Sequence, residues 1–487
     1  MSSRKATEAV GQEKPEHHPN TSGYYLDRYH DDGDGKTAAD GQTILIPQPT
    51  EDPNDPLNWP PRKKNLILLI ITYLAFLPDF GSALGAHNLV GNLFCLGTGS
   101  LFTVFLSAYF GRLPILFLWQ LMALGTGIWC AAAQSFPSFL GARIVVGFFA
   151  IAAQAGGLMW IDDMFFFHER PRKINTWSGG IIISPYLGPF VAAFVVWRGS
   201  WRWCYWIYSI LSAVGLVLIL LIDETYYDRS LPREEQPVWK SRVRRLLGLE
   251  RHPQGSFLRS VSRPFVAICK VPVALITVYY FLNFAWIIGV NVTISTWLTS
   301  FYGFSPKSLG LFYFSGITGS ILGEVLGHWA HDSIGNFYSR RHGGRIDSEA
   351  RLIMCYPAGV LMVVGLLILG FALQYHWHWA YLAVFGAMQI TGINFATTAI
   401  NAYLLDSYPE GSGEVGAWIV VGRTLGGFMA TFIEIPWVTG SDAAKVLGVQ
   451  TGITAAAMLI PLFLQVFGKR VRQFQGPMRF PDMSKSA

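Results

Sequence analysis

Five charged side chains stand inside stretches that are otherwise apolar: Asp79, Arg143, Glu324, Arg423 and Glu434. A charge within such a stretch is costly unless it faces a cavity or a partner, so each is a candidate for chemistry. Asp79 lies in Leu77-Pro78-Asp79-Phe80-Gly81, where Pro78, Gly81 and Gly85 permit a kink. A carboxylate beside a broken helix can take a proton or a cationic group. The plain alternative is a carboxylate satisfied by a neighbouring helix or placed near a span end. Arg143, between Gly141 and Gly147, would stabilise an anion or alter the proton affinity of a nearby acid, or else make a structural ion pair. Glu324, ahead of Gly327 and Asp332, reads as a gate or helix-packing residue, and Glu434 as an interfacial group near a span end. Arg423, in Gly422-Arg423-Thr424-Leu425-Gly426-Gly427, reads as a partner for Asp406 or Glu414.

Amides give a second signal. Asn283 and Asn291 are eight residues apart, about 80° around a helix, and Asn394 and Asn401 are seven apart, within about 20°. Each pair marks a polar stripe, read either as a cavity wall or as a set of interhelical hydrogen bonds. Tyr279, Tyr280, Trp286, Trp160 and Tyr403 are aromatic candidates for the same wall. Other chemistry is missing its motifs. There is no GxxxxGK[ST] phosphate loop and no HExxH. The five cysteines form no CxxC. His376-x-His378 and the histidines of 331–342 lack metal spacing, and His168-Glu169-Arg170 is too isolated for a hydrolytic site. No cofactor is expected, and no enzyme.

The elements that must carry these residues are long apolar runs. Hydrophobic residues make up 51% of the 487, aromatics 15% and charged residues 14%. Soluble chains carry about 25% charge, so composition argues against a soluble multidomain enzyme and against a disordered protein. Twelve runs are long enough to span hydrocarbon as helices: 66–87, 90–110, 113–133, 137–162, 174–197 and 202–222, then 272–300, 308–329, 352–374, 378–405, 415–436 and 443–468. The chain therefore divides into a tail 1–65, expected to be disordered and cytosolic, a six-helix bundle 66–222, a cytosolic linker 223–271, a second six-helix bundle 272–468 and a cytosolic tail 469–487. The run Asp55-Pro56-Leu57-Asn58-Trp59-Pro60-Pro61 cannot be helix interior, and Trp59 with Arg62-Lys63-Lys64 suits a membrane interface. No signal peptide is read in the polar opening segment. Asn20-Thr21-Ser22 fits a glycosylation sequon, on the side predicted to be cytosolic.

With both termini inside, Lys and Arg concentrate in the N-tail, the linker, the even-to-odd loops and the C-tail. Only Arg198, Arg202, Lys307 and Lys445 fall outside, which supports this orientation. The net charge of +6 thus reflects a bilayer, not nucleic acid. One connection is unusually short. Spans 1 and 2 share residues 66–110, which implies either a tight hairpin near His87–Gly91 or a lost segment, through deletion or mis-splicing. Glycine runs such as Gly179-Gly180, Gly316-x-x-Gly319-x-x-x-Gly323 and Gly422-x-x-x-Gly426-Gly427 let helices approach closely.

Two six-helix halves joined by a basic linker resemble the major facilitator superfamily. Particular residues resemble the fungal drug:proton antiporter branch: Asp55-Pro56-Leu57-Asn58-Trp59, Asp163-x-Phe-Phe-Phe-His168-Glu169-Arg170, Trp201-Arg202-Trp203, Glu224-Thr225, Asp406-Ser407-Tyr408-Pro409-Glu410, Ser412-Gly413-Glu414 and Arg423. The family's loop 2–3 motif is matched by Gly111-Arg112, with Ala108 where an acid belongs and Leu113 where a second base belongs. Arg143 and Gly147 match the span-4 motif linked with proton coupling. Gly180-x-x-x-Ser184-Pro185-x-x-Gly188-Pro189 resembles the span-5 antiporter motif and leans toward export. The family's span 1–2 connection is usually longer. The resemblance implies a monomeric, alternating-access transporter of a small organic molecule, driven by protons, with a lipid bilayer as its medium and the plasma membrane as its expected site. On this reading Asp79 exchanges protons, Arg143 tunes it, and Asn283, Asn291, Asn394 and Asn401 line the cavity. Proton-coupled uptake of a nutrient or polyamine is the alternative, and a non-transporting receptor or membrane enzyme a remote one.

Overall fold

The computed structural model describes residues 45–85, 89–227, 229, 241–248, 257–341, 347–478 and 480. The sequon at Asn20, most of the N-terminal tail and the centre of the span 1–2 hairpin lie outside the described residues. Among the described residues, twelve helices are long and apolar enough to cross a membrane. In the first half they are α1 (Pro61–Ala83), α2 (Leu89–Phe110), α3 (Arg112–Ala132), α4 (Phe136–Met164), α5 (Arg170–Arg198) and α6 (Arg202–Ile219). In the second half they are α7 (Val271–Tyr302), α8 (Pro306–Gly335), α9 (Ser348–Gln374), α10 (Trp379–Ser407), α11 (Ser412–Gly440) and α12 (Ala443–Gln475). No strand occurs among the described residues.

The two halves repeat one packing scheme. In the first, α1 lies on α5, α2 on α4, and α3 on both α4 and α6; in the second, α7 lies on α11, α8 on α10, and α9 on both α10 and α12. Adding six to each helix number converts one list into the other, the signature of a parallel internal repeat. Across the halves the same symmetry holds. Helix α2 packs on α11 and α5 on α8, while α4 meets α11 and α5 meets α10.

Local chemistry sets the helix ends. Ser135 and Ser305 cap α4 and α8 by accepting from the backbone N–H of Ser138 and Ser308. Gly111 has φ +99° between α2 and α3, a backbone region that suits glycine. Most spans are apolar around their whole circumference, and Leu69, Val217, Val360, Leu459 and Val466 point out of the bundle toward lipid. Trp197, Trp201, Trp203, Trp377, Trp379, Tyr375 and Tyr381 ring the end opposite the linker, as aromatic side chains do at a membrane surface.

The N-terminal tail was expected to stay disordered up to residue 65. From residue 45 it is packed instead. Phe167 N–H donates to Ile46 O at 2.8 Å, and Lys64 Nζ to Leu57 O at 2.8 Å. Asp55, fully buried, accepts from Leu57 N and pairs with Arg229 at 3.1 Å. Low hydropathy hid this because the segment docks through polar contacts.

Candidate functional site

Three side chains from three helices meet between the halves. Asp79 of α1 pairs with Arg423 Nη1 of α11 at 2.9 Å. Gln154 of α4 donates to Asp79 Oδ2 at 3.1 Å and to Ala75 O at 2.7 Å, while its Oε1 accepts from Arg423 Nη2. Arg423 also lies over the Phe284 ring of α7, 5.2 Å from its centroid. Arg423 stands eleven residues into α11, roughly 16 Å from the linker end of that helix. The partner expected for it was Asp406 or Glu414. Those acids are occupied elsewhere, Asp406 by Arg351 at 3.1 Å and Glu414 by Arg263.

A cavity of about 330 Å³ rises from this group. Asp79, Arg423 and Thr424 line its base, and Val196, Thr299 and Pro306 lie at its other limit, at the ends of α5, α7 and α8 away from the linker. Its walls are mostly apolar, with Leu93, Phe284, Ile287, Ile288, Val292 and Leu309 among them. The hydrogen-bonding groups on it are few: Ser82, Asn291, Ser295, Thr299, Tyr313 and Thr424. Such walls with a few fixed polar groups are typical of small-molecule sites, and the volume is near the lower end of their ~300–1,000 Å³ range.

On the linker side of the triad the halves are packed shut. Asn175 of α5 donates to Glu324 O of α8 at 2.9 Å, and Thr398 of α10 donates to Asn175 Oδ1 at 3.0 Å. Ser178 and Thr398 share a 3.2 Å hydrogen bond, and Ser100 of α2 reaches Ala417 O of α11 at 3.3 Å. Gly416 lies so close to Ala155 O of α4 that a Cβ there would stand 2.9 Å from it. The conformation is therefore closed toward the linker, with its cavity on the opposite side.

Arg143 is 1% exposed and does not touch the Asp79 carboxylate as expected of a tuning cation. Its guanidinium donates to Gly81 O at 2.7 Å, Ser82 O at 2.8 Å and Gly85 O at 3.4 Å, and stacks over Tyr205 at 5.4 Å. Carbonyls in the last turn of a helix lack intrahelical partners, so Arg143 caps the α1 end that carries Asp79. Among the four asparagines only Asn291 lines the cavity. Its Nδ2 donates to Pro185 O at 3.1 Å. That carbonyl is four residues before Pro189, which has no N–H to offer it, so Asn291 replaces a missing helix bond. Pro185 and Pro189 themselves line the cavity. Asn283 and Asn401 bond back to Tyr279 O and Thr397 O on their own helices, and Asn394 ties α10 to Ser320 O of α8. Tyr279, Tyr280, Trp286, Trp160 and Tyr403 are buried in the packed interior and do not border the cavity.

The remaining candidates hold seams. Gly147 faces Asn92 of α2, and Gly188 faces Phe80 O and Ala83 of α1, both too close for a Cβ. At the linker end, Arg112 pairs with Asp163 and donates to Met159 O at 3.2 Å. Glu224 accepts from Leu113 N at 2.9 Å and Arg112 N at 3.3 Å beside Gly111. Acids from α4 and the linker thus serve the turn where Ala108 leaves one out. The Glu324 carboxyl lies on Gly179 of α5. Glu434 is not interfacial as its position suggested. It is fully buried, accepts from Gln450 of α12 at 2.8 Å and packs on Gly289 of α7.

The family model for the Major Facilitator Superfamily matches residues 65–431, most of the chain and both halves. The chain belongs to the major facilitator superfamily. As a member of that superfamily it is a multi-pass membrane transporter. It is 26% identical over 458 aligned residues to the efflux pump radE of Floropilus chiversii, covering 87% of this chain and 83% of that one. It is 24% identical to the MFS-type transporter penM of Penicillium rubens, covering 87% and 88%. Among solved structures, the proton:xylose symporter XylE bound to 6-bromo-6-deoxy-D-glucose superposes with a TM-score of 0.62 at 16% identity, covering 84% of this chain and 96% of that one. The human organic anion transporter MFSD10 gives a TM-score of 0.59 at 16% identity, covering 83% and 100%. At these identities the superpositions establish the major facilitator fold alone. Gln154, missed in the sequence, was marked by being a lone amide among small residues in Ala152-Ala153-Gln154-Ala155-Gly156.

Proposed function

We propose that the chain exports a small, uncharged, largely apolar organic molecule in exchange for protons. The observation that carries this reading is the Asp79–Arg423 pair, which joins the two halves at the base of the cavity. Each charge is already answered by the other, so the site offers a charged substrate no free counter-ion. Apolar walls with scattered hydroxyls and one amide suit a molecule with a few carbonyl or hydroxyl groups. A proton arriving through the cavity neutralises Asp79 and cancels the attraction between the halves. Its loss on the linker side restores the pair. Proton and substrate then occupy the same space in turn, which is the requirement for exchange.

Export is favoured by the efflux pump among the relatives and by the span-5 motif around Pro185 and Gly188. The linker side faces the cytosol on the distribution of Lys and Arg, and the transporter resides as a monomer in the plasma membrane. Arg143 and Gln154 serve as positioning residues, the first by holding the end of α1 and the second by bridging the two charges.

The test uses purified protein in inside-out vesicles acidified within, with a lumenal pH reporter. Uncharged apolar metabolites should cause lumenal alkalinisation, and permanent cations of similar size should not. Alkalinisation by cations alone would overturn the substrate class. Lumenal alkalinisation driven by substrate loaded in the lumen, with none on adding substrate outside, would replace exchange by symport.

A further inference from the structure

Between the halves the linker carries a helix of its own, Phe257–Ile268. Its first residue meets α2, where Phe257 stacks edge-on with Tyr109 at 5.4 Å and Phe105 at 6.0 Å. Its later residues meet α11, where Arg263 pairs with Glu414 and Trp418 Nε1 donates to Pro264 O at 2.7 Å. All four anchor residues lie within about 9 Å of the linker-side ends of their spans. The linker helix therefore runs across the end of the bundle, from one half to the other, at nearly constant depth. Its packed stripe is Ser260, Pro264 and Ala267. On its other faces Phe257, Leu258 and Phe265 are 47%, 76% and 58% exposed.

The helix is held down from below. Lys270 Nζ donates to Gln475 O, Gly476 O and Pro477 O at 2.8, 3.0 and 3.1 Å. Met478, beyond them, is buried beside Gly411, and Phe480 lies over Arg263 at 4.1 Å. The C-terminal segment thus clasps the linker helix against α11.

We propose that this helix is a strap seated in the bilayer. Leu258 and Phe265 enter the boundary between headgroups and acyl chains of the linker-side leaflet, while the opposite stripe ties α2 to α11. Three observations choose lipid over water or protein. The helix lies at the depth where span ends meet headgroups. Beyond Lys270 the chain passes directly into α7, which exposes Val271 and Val278 in its first turns. Arg259, next to Leu258 and partly exposed, supplies a cationic group beside the apolar residues, as in an interfacial amphipathic helix. Opening the linker side separates α2 from α11, so the strap must release one of them, and lipid seating opposes that release.

The test places nitroxides singly at Leu258→Cys and Phe265→Cys in full-length protein lacking its native cysteines, in lipid nanodiscs, with Glu51→Cys as a solvated reference. The ratio of oxygen to nickel-chelate accessibility should be several-fold higher at 258 and 265 than at 51. Equal ratios would overturn the lipid seat. So would spin–spin broadening at 258 that unlabelled protein removes, since a second copy would then cover the face. A second arm introduces Leu258→Glu with Phe265→Glu and measures the distance distribution between labels at Phe110 and Glu410. A shift to longer distances is expected, and an unchanged distribution would remove the strap's role in holding the halves.

Discussion

Replacing Asp79 by Asn and Arg423 by Gln, singly and together, tests the central pair. The two side chains are 13% and 7% exposed and 2.9 Å apart. Removing one member of a buried pair strands the other charge, a loss of about 3–5 kcal/mol. Here neither stranded group is left bare. Arg423 keeps Gln154 and the Phe284 ring, and Asp79 keeps the Gln154 amide. Hydrogen bonds to charged groups contribute about 1.5–3 kcal/mol, which places each single variant near the lower bound, about 3 kcal/mol. The double variant strands nothing, so its loss should fall short of the sum by about 2–3 kcal/mol. Equilibrium unfolding in mixed detergent–SDS micelles reads this coupling directly. The same proteins in acidified vesicles should show no proton exchange for either single variant. Additive losses would refute the pairing argument, and undiminished gradient-driven transport by folded Asp79→Asn would refute the proton assignment.

Arg143→Gln should destabilise by about 2–3 kcal/mol, because one amide cannot serve the carbonyls that the guanidinium reaches; unfolding should follow it, with Arg143→Lys intermediate. Asn291→Leu frees Pro185 O inside the membrane and should cost about 1–3 kcal/mol, with a changed KM for substrate since Asn291 also borders the cavity. Gly422→Val, on a seam where even a Cβ would meet Thr277 backbone, should abolish folded protein, as judged by size-exclusion profile. Phe284→Ala enlarges the cavity and removes the ring beneath Arg423; bulkier substrates should gain in kcat/KM relative to small ones.

The twelve spans were legible because hydrocarbon demands about twenty apolar residues in a row. Their ends were not, for hydropathy marks where lipid stops and helices continue past it. Helix α5 begins at Arg170 instead of 174, and α12 continues to Gln475 instead of 468. Asp79 was legible as a lone acid beside a proline. Its partner was not, since only tertiary packing brings α11 to α1. Arg143 and Arg423 look alike in sequence, each in a glycine-flanked apolar run, yet one meets carbonyls and the other a carboxylate. The asparagine stripes misled for a local reason. Asn283 and Asn401 can bond four residues back along their own helices, which periodicity does not distinguish from facing a cavity.

Dividing the pair between α1 and α11 also bears on how the molecule is made. The first half enters the bilayer carrying Asp79 without its cation, and the second follows with Arg423 without its carboxylate. Each half alone therefore presents a charge without its counter-ion on the face meant for the other, in a medium that tolerates it poorly. Docking cancels both at once. The contact that couples the halves during turnover is in this sense also a mark of completed assembly, and an unmatched half is distinguishable, by that one charge, from a finished transporter.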